Sequence, residues 1–399
     1  PPPPPPPHHP APATPEIYTE TKSSAASDVY KRQGQERVDC RSHVCGLDSV
    51  ERDVEAKLDQ RVAHGWIVAA RPGLRGCLPN GGEPGRAAGL PPHRRAGRIH
   101  MAVPTRYILH QGPVIGAIAR AAVVAIKSAT GQQNSPPAQV PGPVVSASIS
   151  PRPADMVRDY IRHVGGDPAW YRGQVPAHMF PQWVFPLQAK GIEGLQYPIQ
   201  RVLNGGSRLQ MNAPLALNQR FELKVQLMDI DDNGRRAVVH QRATMSTSSH
   251  PEAVVADVYG IVPLGGGDKS ERLKKDDRPR VPTVVKELGR WRLGTHVGLD
   301  FAKLTGDFNP IHWIPAAARA SGFRNVINHG VSTMARAIEG LNRSVFSGDV
   351  SKLESIDVQF TKPLVLPAEV GLYVDDDRVF VGDAPGGPAY LVGTYSVRS

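Results

Sequence analysis

Phe301-Ala302-Lys303-Leu304-Thr305-Gly306-Asp307-Phe308-Asn309-Pro310-Ile311-His312 sets a carboxylate and an imidazole five residues apart around an Asn-Pro turn. Proline fixes its own φ and drives the preceding residue out of the α region, so the chain is expected to bend at Asn309-Pro310 and begin a helical turn behind it. Asp307 and His312 then face one point in space. Two groups that each exchange a proton near neutral pH, held over one small volume, suit the activation of a single water. The same residues admit a plainer reading: a capped helix start in which Asp307 or Asn309 accepts backbone N–H bonds and His312 is a partly buried histidine.

Downstream, the chain runs through Trp313, an alanine-rich segment over 316–320 and Ser321-Gly322-Phe323 to Ile327-Asn328-His329-Gly330, which opens a strongly patterned helix. The stretch 301–341 resembles the signature of MaoC-like dehydratases and R-specific enoyl-CoA hydratases. That signature is an aromatic residue, then Gly-Asp-x-Asn-Pro-aliphatic-His, then a His-Gly pair at the start of the central helix. Each of those positions is filled. The resemblance implies a hotdog fold and a hydro-lyase that converts trans-2-enoyl thioesters to (R)-3-hydroxyacyl thioesters, or the reverse, in fatty-acid or polyketide metabolism.

In such an enzyme Asp307 and His312 hold the water and handle both protons. Asn309 fixes the turn and, by resemblance, also bonds near the water. Gly330 opens a helix, so its free N–H and the positive end of the helix dipole are expected to meet the oxyanion that develops on the thioester. No cofactor is implied; CoA or an acyl carrier protein enters only as the thioester. A metal site built on Asp307, Asn309 and His312 lacks further acidic ligands at loop spacing, and none is expected. The rival readings are a hotdog acyl-CoA thioesterase and a non-catalytic acyl-CoA-binding subunit; the intact Asp/His pair argues against the second.

Composition sets wide bounds. The formal net charge is +10, but much of the excess sits in the Arg-rich N-terminal third, including Arg86, Arg94, Arg95 and Arg98, so it describes a tail more than a working surface. No aromatic and basic residues interleave on one element, and nucleic-acid binding is not expected. Cys40, Cys45 and Cys77 all precede Met101, leaving the body without thiols for a disulfide framework, a nucleophile or a zinc site. No apolar run reaches membrane-spanning length. A cytoplasmic or organellar protein is expected, not a secreted one, although the C-terminal Val397-Arg398-Ser399 is not a Ser-Lys-Leu signal.

Residues 1–100, with their polyproline run and Gly/Pro/Arg-rich stretch, have a composition that buries too little apolar surface to fold. Residues 23–33 resemble a stretch that recurs at the ends of translated transcript assemblies, and Met101 is expected as the true start. Residues 101–153 read as one amphipathic helix over 107–127 and a Pro/Ser/Gln linker over 135–153.

Beyond it, Tyr160-Ile161-Arg162-His163-Val164-Gly165-Gly166-Asp167 echoes the aromatic start and Gly-Asp of 301–307 but continues without the Asn or the His. An internal repeat with one catalytically empty copy is expected. In the first copy, 182–197 is weakly helical because of Pro186 and two glycines. Residues 221–227 alternate as a half-buried strand, Asp231-Asp232-Asn233-Gly234 turns, and 236–247 returns. In the second, Val331, Met334, Ala335, Ile338 and Leu341 share a helix face. The alternating runs 356–360 and 370–374, the turns 375–377 and 383–387, and the closing strand 390–397 follow.

The expected plan is therefore α+β: two hotdog units in one chain, each a long central helix against an antiparallel sheet. The first unit is 154–264, a Gly-rich and charged linker covers 265–282, and the catalytic unit is 283–399. Such a chain imitates a dimer within one polypeptide and is expected as a monomeric pseudo-dimer or a homodimer.

Overall fold

The computed structural model describes residues 102–111, 116, 138–198, 202–264 and 278–398. The stretch before Met101 with its cysteines, most of the expected 107–127 helix, and the Gly265-Gly266-Gly267 connection with most of its charge run lie outside the described residues. Within 107–127 the described start is the end of a 3-10 helix, Thr105–Gln111.

The architecture is a single antiparallel sheet with helices packed on one face. Ten strands pair in the order β1, β5, β6, β7, β3, β9, β12, β11, β10, β8. One half comprises β1 (Val145–Ile149), β3 (Leu203–Met211), β5 (Phe221–Asp232), β6 (Arg236–Ser246) and β7 (Val254–Pro263). The other comprises β8 (Lys286–Leu293), β9 (Leu353–Phe360), β10 (Ala368–Asp375), β11 (Arg378–Gly382) and β12 (Ala389–Val397). A separate small ribbon joins β2 (Gln174–Val175) to β4 (Leu215–Ala216). The helices are α1 (Ala154–His163), α2 (Pro168–Tyr171), α3 (Pro181–Gly191), α4 (Val297–Thr305), α5 (Pro315–Ala320) and α6 (Gly330–Ser344).

The halves join where β3 meets β9, with Ser207 opposite Val358 and Leu209 opposite Ile356. Glycine makes this approach possible, because a Cβ on Gly206 would lie 2.6 Å from the Val358 carbonyl oxygen. The strict alternation of β5 has its expected cause. Phe221, Leu223, Val225 and Leu227 are buried, whereas Glu222 and Lys224 are exposed. Phe221 packs edge-on against Trp183 of α3, at a centroid distance of 5.3 Å. One apolar cluster takes Trp183, Leu223, Phe301, Met334 and Ile356 together, so the halves share a core.

Several expectations need correction. The stretch 135–153 is not all linker: Val145–Ile149 is a strand paired with β5, so the first half of the sheet begins before Ala154. The helical reading of 182–197 holds only through Gly191, with Pro186 accommodated inside α3. β5 runs through Asp231 and Asp232, which leaves the reversal to Asn233 and Gly234, the glycine at φ 76°.

The two echoing segments are neighbours. Each helix that carries one, α1 and α4, is followed by a left-handed glycine, Gly165 or Gly306. The Tyr160 and Phe301 rings lie 6.1 Å apart. Among the described residues, no helix is long and apolar enough to cross a membrane.

Removing the first half would strip β9 of its β3 partner. A fragment of residues 283–399 presents that bare edge and is expected to aggregate or self-associate, as light scattering coupled to size exclusion would read. A well-behaved monomeric fragment would contradict the shared core.

Candidate active site

The turn that carries Asp307 and His312 is built from side-chain bonds to the backbone two residues on. Thr305 Oγ1 accepts from Asp307 N at 3.5 Å, Asp307 Oδ1 from Asn309 N at 3.3 Å, and Asn309 Oδ1 from Ile311 N at 3.4 Å. Thr305 itself donates to the Phe301 carbonyl at 2.8 Å, which ties this staircase to the end of α4. Short polar side chains that satisfy local N–H groups hold a non-helical path without a ladder. Pro310 then opens a one-turn 3-10 helix, Pro310–His312, as the Asn-Pro step led us to expect. Trp313 closes the turn by donating from Nε1 to the Phe308 carbonyl at 3.1 Å.

His312 is buried, and its Nδ1 lies 2.8 Å from the Ile327 carbonyl oxygen. A carbonyl only accepts, so Nδ1 carries the hydrogen and Nε2 keeps a lone pair. His329, at the N-cap of α6, stacks on His312 with centroids 3.6 Å apart. Its Nε2 lies 3.1 Å from the Asp307 carbonyl oxygen and 3.7 Å from Asp307 Oδ2. By the same argument Nε2 is the donor, which leaves Nδ1 as an acceptor, and that atom has no hydrogen-bond partner.

Burial holds both imidazoles neutral. It lowers His312 against the opposing pull of Asp307, and it lowers His329, with help from His312, to about 3. Asp307, His312 and His329 offer a carboxylate oxygen and two imidazole nitrogens within 4.8 Å of one another. That spacing suits a shared water; the donor types are also those of a divalent-cation site.

Close packing fixes these positions. A Cβ on Gly298, in the first turn of α4, would lie 1.9 Å from the His312 carbonyl oxygen, so this helix start needs glycine. A Cβ on Gly330 would lie 2.8 Å from the Phe360 ring. Gly330 is the first residue of α6, where backbone N–H groups lack intrahelical acceptors. Of the residues singled out in the sequence, Asp307 and His312 are brought together. The Asn309 side-chain oxygen is committed to the turn, and Gly330 sits beside the pair through His329.

Sequence reasoning left His329 out of the site, although the His-Gly pair was the available signal. Asp167, in the echoing segment, caps α2 by accepting from Ala169 N at 2.9 Å. A second buried polar group was not foreseen. Glu339 of α6 accepts from the Tyr171 hydroxyl at 2.6 Å and contacts His178 Nε2 at 3.0 Å, and His178 contacts the Tyr160 hydroxyl at 3.1 Å. These partners lie 168 and 161 residues from Glu339, beyond any local pattern.

Solved structures place this architecture in the hotdog class. The chain aligns with the crystal structure of HtdX from Mycobacterium tuberculosis at a TM-score of 0.50 and 20% identity, covering 64% of this chain and 100% of that one. It aligns with a second structure, described as a MaoC-like dehydratase, at 0.52 and 19%, covering 65% and 98%. Residues 298–380 match the family described as MaoC like domain.

Among curated relatives, "Probable enoyl-CoA hydratase 2" of Dictyostelium discoideum is 24% identical over 198 residues, which are 48% of this chain and 66% of that protein. "3-hydroxyacyl-thioester dehydratase X" of Mycobacterium tuberculosis (strain ATCC 25618 / H37Rv) is 26% identical over 209 residues, 51% and 71%. The chain spans 24% of a further relative, "Peroxisomal multifunctional enzyme type 2" of Mus musculus.

Two outcomes follow from this packing. Gly298→Ala should displace the His312 backbone and destabilise the fold by roughly 1–3 kcal/mol, as overpacked sites do, measured by denaturant unfolding. Acid should also destabilise the protein. Folded His329 holds its proton less tightly than the unfolded chain does, so its contribution is intact above the ordinary value of 6.5 and is lost as pH falls from 6.5 toward 3. Melting temperatures across that window should fall, and His329→Asn should flatten the dependence; an equally steep profile in the variant would contradict the assignment.

Proposed function

We propose that this site catalyses the reversible hydration of trans-2-enoyl thioesters to (R)-3-hydroxyacyl thioesters, with CoA or an acyl carrier protein as the thiol. One observation carries the reading: Asp307, His312 and His329 converge within 4.8 Å on a rigid turn beside the N-terminus of α6. The names of the relatives favour the same chemistry over thioester hydrolysis or passive binding.

A water held between Asp307 and His312 gives a proton to His312 Nε2 as its oxygen bonds to C3. The C2–C3 double-bond electrons move toward the thioester oxygen, and C2 then receives a proton from the same pair of residues. Water is thus added whole, with hydroxyl at C3 and hydrogen at C2, and the site returns to its starting protonation. A buried, neutral His312 suits the first step because no bound proton need be removed beforehand. The transient oxyanion falls to the Gly330 N–H and the positive end of α6. Losing such a donor typically costs about 3 kcal/mol of transition-state stabilisation.

We further infer that the chain is a double hotdog with one working copy. The first unit ends near 264 and is extended at its start by β1. A linker covers 265–282, and the catalytic unit is 283–399. Support comes from the equal division of the sheet and from Asp167, whose carboxylate caps a helix.

Asp307→Asn and His312→Ala are each expected to cut turnover of crotonyl-CoA and trans-2-decenoyl-CoA roughly a hundredfold or more, followed by loss of enoyl thioester absorbance. The double variant should be little worse than either single one, because the residues act as a unit. Chelation should leave the rate unchanged. Near-wild-type turnover by either variant would overturn the assignment, and inactivation by chelator with rescue by added cation would move the water onto a metal.

A further inference from the structure

The central helix of the catalytic half is buried on all sides from Val331 to Glu339, yet it is not apolar on all sides. Val331, Met334, Ile338 and Leu341 form one stripe. His329, Ser332, Arg336, Glu339 and Asn342 form another, at spacings of three, four, three and three, and each is at most 7% exposed. Such spacing keeps residues on one face of a helix. The polar face is turned toward the first half, where Tyr171 and His178 meet Glu339.

The stripe is satisfied at Glu339 but not throughout, since Asn342 Oδ1 beyond it is also buried without a hydrogen-bond partner. Glu339 is bonded to Tyr171, His178 and Asn342. Ser332 Oγ and Arg336 Nε are buried with no hydrogen-bond partner, as is His329 Nδ1 at the site end. Among the described residues Arg336 makes no ion pair, and burial lowers its pKa to about 10, opposed by the Tyr160 hydroxyl. The Glu339 carboxylate, three residues along the same face, is bonded to Tyr171, His178 and Asn342 and not to Arg336, and a buried guanidinium that makes no ion pair is costly. Arg336 lies seven residues beyond His329, about 10 Å along the helix axis.

We propose that Ser332 and Arg336 form a subsite for a carboxylate carried at the far end of the acyl chain, so that the enzyme prefers enoyl thioesters of dicarboxylic acids over plain fatty enoyl thioesters. The proposal rests on the enoyl thioester reading for which end of the ligand meets the Asp307/His312 pair. Arg336 supplies a fork suited to a carboxylate, and Ser332 supplies a hydroxyl donor one turn nearer the reacting carbons. The stripe then selects substrate at a distance from the chemistry.

Turnover of trans-2-octenoyl-CoA and of its ω-carboxyl counterpart decides the matter, together with calorimetric binding of the unreactive saturated pair, octanoyl-CoA and suberyl-CoA. Wild type should favour the carboxylated member of each pair by roughly tenfold or more in kcat/KM and in Kd. Arg336→Met should erase that ratio, Arg336→Lys should retain part of it, and Ser332→Ala should reduce it. A wild-type enzyme that treats the two members alike would overturn the subsite whether or not any variant folds, and so would a folded Arg336→Met that keeps the full ratio. Tighter binding of suberyl-CoA without turnover of any enoyl thioester would instead retain the subsite and overturn the hydratase reading.

Discussion

Burial of a two-faced helix on every side from Val331 to Glu339 is the constraint on which the rest of this molecule depends. α6 turns an apolar stripe to its own sheet, which any hydrophobic surface satisfies. Its polar stripe cannot be left against hydrocarbon, because buried polar groups without partners cost more than the bonds they make are worth. The first half answers that need at Glu339 with the hydroxyl of Tyr171 and the imidazole of His178. The first half thereby completes the surroundings of the helix whose first turn lies beside Asp307 and His312.

The site was legible in the sequence to the degree that its bonds are local. Thr305, Asp307 and Asn309 each bond two residues onward, so the staircase is written in consecutive letters, and Asn-Pro marks its bend. The β5–β6 hairpin was equally readable, because one wet face imposes strict alternation.

Strands that lack that simple face were not. β3 contains Gly205 and Gly206 and is paired on both sides, β8 is Lys-Glu-Leu-Gly-Arg-Trp-Arg-Leu, and β1 sits in a Ser/Pro-rich context. Gly-Gly reads as loop, yet here it admits the neighbouring backbone at the join between the halves. The Glu339 group was illegible for a different reason: its partners come from the other half of the chain, and a glutamate within a helix ordinarily signals a solvated face.

The stacked histidines show what a motif leaves out. His312 and His329 each spend one nitrogen on a backbone carbonyl, Ile327 or Asp307, and so each tautomer is fixed by the fold. The carbonyl of Ile327 reaches His312 while its N–H donates to Ile311 at 3.2 Å, so the segment before α6 clamps the turn from both sides. Identity of residues sets which groups are present. These main-chain clamps set which nitrogen is free to accept.

Among the described residues, the sheet that joins both halves ends at the outer sides of β1 and β8, and these edges are protected differently. β1 is five residues long, too short to template much pairing. β8 bristles with charge: Arg290 pairs with Glu287 at 3.1 Å, and Arg292 with Glu369 on the neighbouring strand at 2.9 Å. An incoming strand would have to strip water from these groups without replacing their partners. Fusing two sheets into one thus spends both inner edges on the fold and leaves outer ones that resist growth, so the architecture that completes the site also guards the chain against strand-by-strand polymerisation.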